Sequence, residues 1–138
     1  MKKLITAMFI FVSCFANKAF SDGHAIKMGI ILGFTGPIES LTPAMAASAE
    51  LAFNEASKSG KLLGGKSIMV ERADSTCVDS AAATTAAEGL INNGVLAIMG
   101  ADCSGVTGAI ATNVAVPKGV VMISPSATSP GLTDLNDK

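Results

Sequence analysis

Apolar and polar residues alternate in blocks along the chain, and these blocks predict strands and helices in regular succession. A nearly continuous apolar run at Ile26–Gly33 is typical of a strand that is buried on both faces. Shorter apolar runs predict three more strands, at Ser67–Ala73, Val95–Met99 and Val120–Ile123. Between the strands, apolar residues recur with the spacing of one helix face. The predicted order is therefore a strand and a helix in alternation, ending on a fourth strand.

Helix-end signals accompany these periodic stretches. Thr42 is the predicted N-cap of the first helix, Asp79 of the second and Ser104 of the third. Gly60 and Gly119 are predicted to end the first and third helices, and a short helix follows near the end of the chain, at Ser129 and Pro130. The residues expected to face the core are Met45, Ala49, Ala52, Phe53 and Ala56, then Ala83, Ala86, Leu90 and Ile91, and finally Val106, Ala109, Ile110 and Val114.

The lengths of the connections predict how the strands pair. Each crossover is long enough for parallel pairing, and such crossovers are almost always right-handed. We therefore expect an α/β fold, an open parallel sheet with helices on both faces. Ligands of such sheets bind beyond the carboxyl ends of the strands. The loops at that edge would be residues 34–41, 74–77, 100–105 and 124–129.

Residues 1–21 have the pattern of a signal peptide. A short basic start precedes an apolar stretch of about 12 residues, which is too short to span a membrane. Cleavage is predicted after Ser21, with a second site at Ala25. Lipoprotein anchoring at Cys14 is less favoured, because Phe11 fits the first lipobox position poorly. A buried N-terminal strand or helix is the structural alternative.

Composition and charge narrow the class of partner. After residue 21 the chain carries seven basic and eleven acidic residues, a net charge of −4, whereas phosphate backbones are bound by clustered Lys and Arg. The same stretch has no Trp or Tyr, and Phe34 and Phe53 are its only aromatic residues. It cannot build a stacking platform for bases, so we expect no nucleic-acid partner.

One phosphate-binding motif is present in the wrong context. Residues Gly60–Ser67 match the spelling G-x-x-x-x-G-K-[ST]. That motif needs a strand before the loop and a helix after it, so that backbone N–H groups and the helix dipole can hold phosphate. Here a predicted helix precedes the loop and a strand follows. We expect a helix end and a glycine turn, not a nucleotide site.

Catalytic and metal-ligating side chains are scarce. His24 is the only histidine and lies beside the predicted cleavage site, so no Ser-His or Cys-His pair forms within the fold. Zinc needs more ligands than two cysteines and this histidine. We expect no catalytic residue, no metal and no cofactor in this stretch, and an enzyme only if its machinery lies beyond residue 138. Four carboxylates near strand ends are interpreted as solvated loop charges: Glu39, Glu71, Asp74 and Asp102.

Cysteine counting predicts one disulfide. Loss of Cys14 with the leader leaves Cys77 and Cys103, an even pair in an oxidising compartment. Two buried free thiols are the alternative.

Small polar groups near two strand ends form a candidate binding site. Ser104, at a helix start, offers a hydroxyl and backbone N–H groups that suit a carboxylate. After the next strand, the carbonyl of Ser126 and the hydroxyl of Thr128 are acceptors that suit an ammonium group. Together they match an α-amino acid. From spacing alone, a plain helix cap and an ordinary turn explain the same residues at least as well.

The stretch from Ile26 to Lys138 resembles the type 1 periplasmic binding proteins of ABC importers, and most closely the leucine/isoleucine/valine-binding branch. The matching segments are Ile26–Ile30 with Gly36-Pro37, residues 74–77, Asp102-Cys103-Ser104 and Met122–Thr128.

The resemblance implies roles for individual residues. It implies that Ser104 binds the ligand α-carboxylate, that Thr128 contacts both the carboxylate and the ammonium, and that the carbonyl of Ser126 contacts the ammonium. It also implies a disulfide between Cys77 and Cys103.

Two departures from the family pattern bear on the ligand and the domain. Leu41 stands where branched-chain binders often carry an aromatic residue on the ligand side chain, which leaves the branched-chain preference open. Family members have two lobes joined by hinge strands and are more than twice this long. Residues 22–138 are therefore expected to be an incomplete N-terminal lobe, which by itself should bind weakly.

These observations lead to an expected function. The chain would be an exported, periplasmic solute-binding protein that captures an amino acid, branched-chain or a related small amino acid or amide, for the membrane permease of an ABC-type importer. After cleavage it would not insert into the membrane. The alternative is a ligand-sensing domain of the same fold that serves a receptor or regulator, and an exported enzyme comes third.

Overall fold

The computed structural model describes residues 25–136, and their four strands form one parallel sheet. The strands are β1 (Ile26–Leu32), β2 (Ile68–Asp74), β3 (Ala97–Gly100) and β4 (Val121–Ile123). Their order across the sheet is β2-β1-β3-β4, so the first strand of the sequence lies inside the sheet. The predicted open parallel α/β architecture is confirmed, with strand ends that shift by one or two residues.

Helices connect the strands, as the apolar periodicity predicted. The third helix continues through a π-helical turn, Ala111–Ala115, into a last short helix that ends before Gly119. Short 3-10 helices stand at Leu62–Gly64 and Pro130–Leu132. The α-helices are α1 (Thr42–Lys58), α2 (Ser80–Asn92), α3 (Ser104–Ile110) and α4 (Val116–Lys118).

The apolar run of β1 is continuous because both faces of the sheet are covered. Successive strand side chains point to opposite faces. Ile30 and Leu32 are fully buried against Ala46 of α1 on one face. Ile31 is fully buried on the other, in a core to which Leu90 of α2 and α3 contribute. Helices therefore lie on both faces of the sheet, as predicted.

Strand register brings the carboxyl ends together. Leu32 at the end of β1 pairs with Asp74 at the end of β2, and Ile31 pairs with Gly100 at the end of β3. Ile123 of β4 pairs with Met99. Because all four strands run in the same direction, the loops that follow them emerge at one edge of the sheet.

The predicted start of α2 is confirmed, whereas that of α1 is wrong. Asp79 is the N-cap of α2, and its carboxylate accepts hydrogen bonds of 2.9 Å from the N–H groups of Ala81 and Ala82. Thr42 does not cap α1, because it is the first helical residue and is fully buried. Its hydroxyl donates instead to the carbonyl of Gly33, at 3.1 Å, which ties the helix start to the end of β1.

The buried face of α1 is rotated slightly from the predicted one. Ala52, expected to face the core, is exposed. Ala46, which was not predicted, is fully buried against β1. Met45, Ala49 and Phe53 pack against that core as partly buried residues.

The predicted signal peptide, cleavage site, Cys14 and His24 lie outside the described residues. Within residues 25–136, no helix combines the length and the apolar character that crossing a membrane requires.

Candidate functional site at the carboxyl ends of the strands

Ser104 and Thr128 meet at the carboxyl edge of the sheet. Ser104 is the first residue of α3, and its Oγ accepts hydrogen bonds of 3.1 Å from the N–H groups of Thr128 and Ser129. The predicted N-cap role of Ser104 is wrong, because Cys103 occupies that position and Ser104 makes no cap bond. The hydroxyl reaches the neighbouring loop because the ends of β3 and β4 lie side by side.

Ser126 lies in a loop that folds around Ser124. The Ser124 Oγ accepts from the N–H groups of Ser126, at 3.3 Å, and Ala127, at 2.8 Å, and donates to the carbonyl of Ala101. The Ser126 Oγ donates to the carbonyl of Asp102, at 2.9 Å. The loop after β4 is therefore fastened at two points to the loop after β3. Ser124 was not among the predicted site residues, although it shares their serine-rich segment.

Leu41 lies at the same edge of the sheet but outside this hydrogen-bond network. It is the N-cap residue of α1, and its N–H donates to the carbonyl of Ile38, at 2.9 Å. Its side chain is 60% exposed. An apolar side chain this exposed beside polar loops is available to a ligand, but among the described residues Leu41 makes no hydrogen bond to Ser104, Ser126 or Thr128.

The predicted disulfide is confirmed. Cys77 and Cys103 are joined, with their Cα atoms 5.2 Å apart and a sequence separation of 26. The bond links the loop after β2 to the residue that precedes Ser104. Thr76 and Cys77 both have positive φ, at 57° and 70°, which non-glycine residues rarely adopt. The disulfide and the surrounding hydrogen bonds hold this turn beside the start of α3.

The expectation of solvated charge is wrong for Asp102, which is buried, whereas Asp74 is a partly exposed carboxylate that is hydrogen-bonded. Asp74 accepts hydrogen bonds from the hydroxyl and N–H of Thr35 and, at 2.8 Å, from the N–H of Thr76. Burial raises the pKa of Asp74, but hydrogen bonds from Thr35, Thr76 and Phe34 together hold it below its ordinary value. Asp102 is only 3% exposed. Asp74 ends β2 and Asp102 lies two residues after the end of β3, positions from which a carboxylate can reach the loops of neighbouring strands.

A groove of about 590 Å³ opens beside this edge, between α3, β4 and the last 3-10 helix. Its lining includes Gly100, Thr107, Ser124 and Leu132, but none of the four predicted ligand-binding residues. Ser104, Ser126 and Thr128 instead belong to the hydrogen-bonded segments that follow β3 and β4, which together form a rim at the carboxyl edge of the sheet. In residues 25–136, no three His, Cys, Asp or Glu side chains cluster closely enough to hold a metal ion.

A family profile matches the whole range of described residues. A profile described as periplasmic binding protein matches residues 25–136. The Leu/Ile/Val-binding protein BraC3 of Rhizobium johnstonii is 31% identical over 131 residues, which cover 95% of this chain and 34% of that protein. The chain thus spans about a third of the length of the curated relatives it matches.

Structural comparison agrees. The branched-chain amino acid transporter substrate-binding protein LivJ of Streptococcus pneumoniae, solved in complex with isoleucine, matches 80% of this chain and 31% of its own, with a TM-score of 0.71 and 34% identity. A solute-binding protein of an ABC transporter from Rhodopseudomonas palustris BisB5, solved in complex with 3,4-dihydroxybenzoic acid, matches 80% of this chain and 30% of its own. The TM-score is 0.68 and the sequence identity 25%.

Proposed function

Because the chain belongs to the periplasmic binding protein family, we propose that residues 22–138 are the N-terminal lobe of an exported solute-binding protein. Residues 1–21 would be its signal peptide and the periplasm its location. The family consists of binding proteins, not enzymes. The ligand is an α-amino acid, branched-chain or closely related, and the partner that receives it is the membrane permease of an ABC-type importer. Similarity to LivJ and to BraC3 supports this class of ligand.

Three polar groups that lie in contact at the rim are the main support for this proposal. The Ser104 hydroxyl and the N–H groups of Thr128 and Ser129 converge at 3.1 Å contacts on an exposed rim. A hydroxyl that accepts two hydrogen bonds still has its own hydrogen to donate. We infer that this hydrogen binds the ligand carboxylate, while the N–H groups of Thr128 and Ser129 hold the Ser104 Oγ in place.

Acceptors for an ammonium group lie in the loop that is hydrogen-bonded to Ser104. The carbonyl of Ser126 and the hydroxyl of Thr128 belong to the same exposed loop. A hydrogen bond between a neutral group and a charged partner is stronger than a hydrogen bond between two neutral groups. A donor and acceptors on two adjoining segments suit a zwitterion, whose two charged groups are attached to the same carbon.

The charge of the rim also favours a zwitterion. The loops at residues 33–41, 75–79, 101–104 and 124–129 contain no Lys or Arg. A multiply charged anion such as a phosphate ester normally draws on such cations. An amino acid needs none, because its net charge is zero. Leu41, exposed at the same edge, is the apolar group we assign to the ligand side chain.

Two alanine variants test the assignment with matched ligands. We expect Ser104→Ala to weaken binding of both leucine and 4-methylpentanoate, which has no ammonium group, by about tenfold to a hundredfold, the cost of a lost hydrogen bond to a charged group. Thr128→Ala keeps its N–H and loses the hydroxyl. It should weaken leucine binding by a similar factor while 4-methylpentanoate binding stays unchanged. Isothermal titration calorimetry measures all four affinities.

Ser48→Ala is the control, because Ser48 lies exposed on α1 and its hydroxyl donates only to the carbonyl of Ala44 within that helix. Its affinities should equal those of the unmodified protein. Wild-type affinity for leucine in Ser104→Ala contradicts the carboxylate assignment. Binding of 3,4-dihydroxybenzoate in place of any amino acid would contradict the ligand class.

A further inference from the structure

The buried carboxylate of Asp102 connects three loops at the carboxyl edge of the sheet. Its Oδ2 accepts from the N–H of Gly33, in the loop after β1, at 2.8 Å. Its Oδ1 accepts from the N–H of Cys103, at 3.0 Å, and from the hydroxyl of Ser75, in the loop after β2, at 3.3 Å. Both carboxylate oxygens are thus occupied by donors.

The backbone carbonyls of Ala101 and Asp102 accept hydrogen bonds from the fourth loop, which follows β4. The carbonyl of Asp102 accepts from the hydroxyl of Ser126, at 2.9 Å, and the carbonyl of Ala101 accepts from the hydroxyl of Ser124. The Ala101 carbonyl also accepts from Thr107 of α3, at 3.1 Å. Residues 101 and 102 therefore contact the loops after β1, β2 and β4 and the first turns of α3.

We propose that Asp102 is a positioning residue for the ligand-binding rim. The proposal rests on the proposed function: Asp102 does not touch the ligand but fixes Ser104 and Thr128 relative to one another. Burial of a carboxylate is costly unless every oxygen is hydrogen-bonded, a condition Asp102 meets with donors from three chain segments. An apolar residue would fill the space without joining the loops.

The pattern of donors makes an isosteric test possible. All three groups that face the Asp102 carboxylate are donors, two N–H groups and one hydroxyl. In Asp102→Asn, one orientation of the amide places its NH₂ against the N–H of Gly33. The other orientation places it against Cys103 and Ser75. Neither satisfies all the donors, so the variant keeps the shape of the side chain but releases at least one loop.

We expect two results from Asp102→Asn at a temperature at which the variant is fully folded. Without ligand, the ¹⁵N–¹H shifts of Thr128 and Ser129 should move, because the rim rearranges. With leucine, the affinity should fall about tenfold or more, since misplaced donors bind a charged ligand poorly. A role confined to fold stability would lower the melting temperature and leave both readouts unchanged, and that result would overturn the proposal.

Glu71→Gln is the matched control. Glu71 is a half-buried carboxylate within β2 that accepts from the side-chain amide of Asn93, at 3.1 Å, and lies 3.6 Å from the Lys27 ammonium. Like Asp102→Asn, this substitution replaces a carboxylate by the amide of the same shape, but Glu71 contacts none of the rim loops. Its rim shifts and leucine affinity should match those of the unmodified protein.

Ser75→Ala is the second test variant, to be used if Asp102→Asn does not fold. Ser75 is fully buried and gives Asp102 one hydrogen bond, so its loss loosens one loop only. We expect smaller shift changes in the same amides and a several-fold loss of leucine affinity, and wild-type values for both would overturn the proposal. If the unmodified protein does not bind leucine while Asp102→Asn still moves the rim shifts, the ligand assignment fails and the positioning role stands.

Discussion

The Gly100→Ala variant is expected to lose about 3 kcal/mol or more of unfolding free energy. Gly100 ends β3 with φ at +135°, a conformation that L residues rarely adopt. A Cβ built there would overlap the carbonyl oxygen of Ile31. Ile31 is fully buried in the central strand, so its backbone cannot move aside without disturbing the core.

Chemical denaturation of Gly100→Ala and Gly89→Ala provides the comparison. Gly89 is exposed within α2, and a Cβ there meets no described atom within 4 Å outside its own helix backbone. Alanine at that position should raise the unfolding free energy by about 0.5–1 kcal/mol, because glycine is a poor helix former. If the unfolding free energy of Gly100→Ala lies within about 1 kcal/mol of that of the unmodified protein, β3 does not pack as closely against β1 as described.

Removal of the Cys77–Cys103 disulfide is expected to cost about 3.5 kcal/mol, the chain-entropy value for a bridge that closes a 26-residue loop. That is a large share of the 5–15 kcal/mol by which domains of this size are typically stable. The Cys77→Ser/Cys103→Ser double variant, compared with the unmodified protein by urea denaturation, both as residues 22–138, measures the cost. Dithiothreitol should destabilise the unmodified protein and leave the double variant unchanged.

Equal unfolding free energies for the unmodified protein and the double variant, with and without dithiothreitol, would contradict the stabilising role of the disulfide. The bond also joins the loop after β2 to the start of α3, one residue before Ser104. We therefore expect the double variant, in the fraction that folds, to bind leucine more weakly than the unmodified protein does.

The strands and helices could be predicted because their signals are local. The continuous apolar run of β1 required a strand covered on both faces, and the two helix layers supply that cover. Asp79 caps α2 as its residue type and position indicated. The edge at which the predicted site residues meet followed from parallel pairing alone, because parallel strands end on the same side.

The predictions that were wrong depend on contacts between distant segments. Thr42 and Ser104 both have the residue type of an N-cap, but the Thr42 hydroxyl bonds the end of β1 and the Ser104 hydroxyl bonds the loop after β4. Asp102 was interpreted as solvated because its partners lie as far as 69 residues away in sequence. Its position between a buried strand and Cys103 was the one local signal that it is enclosed.

We propose that the rim built by Ser104 and the loop after β4 binds an α-amino acid. Titration of the ¹⁵N-labelled protein with L-leucine, followed by ¹⁵N–¹H correlation spectra, tests it most directly. We predict saturable shift changes that are largest at Ser104, Thr128 and Ser129. Changes confined to the groove between α3 and β4, or no saturable change with leucine, isoleucine or valine, would contradict it.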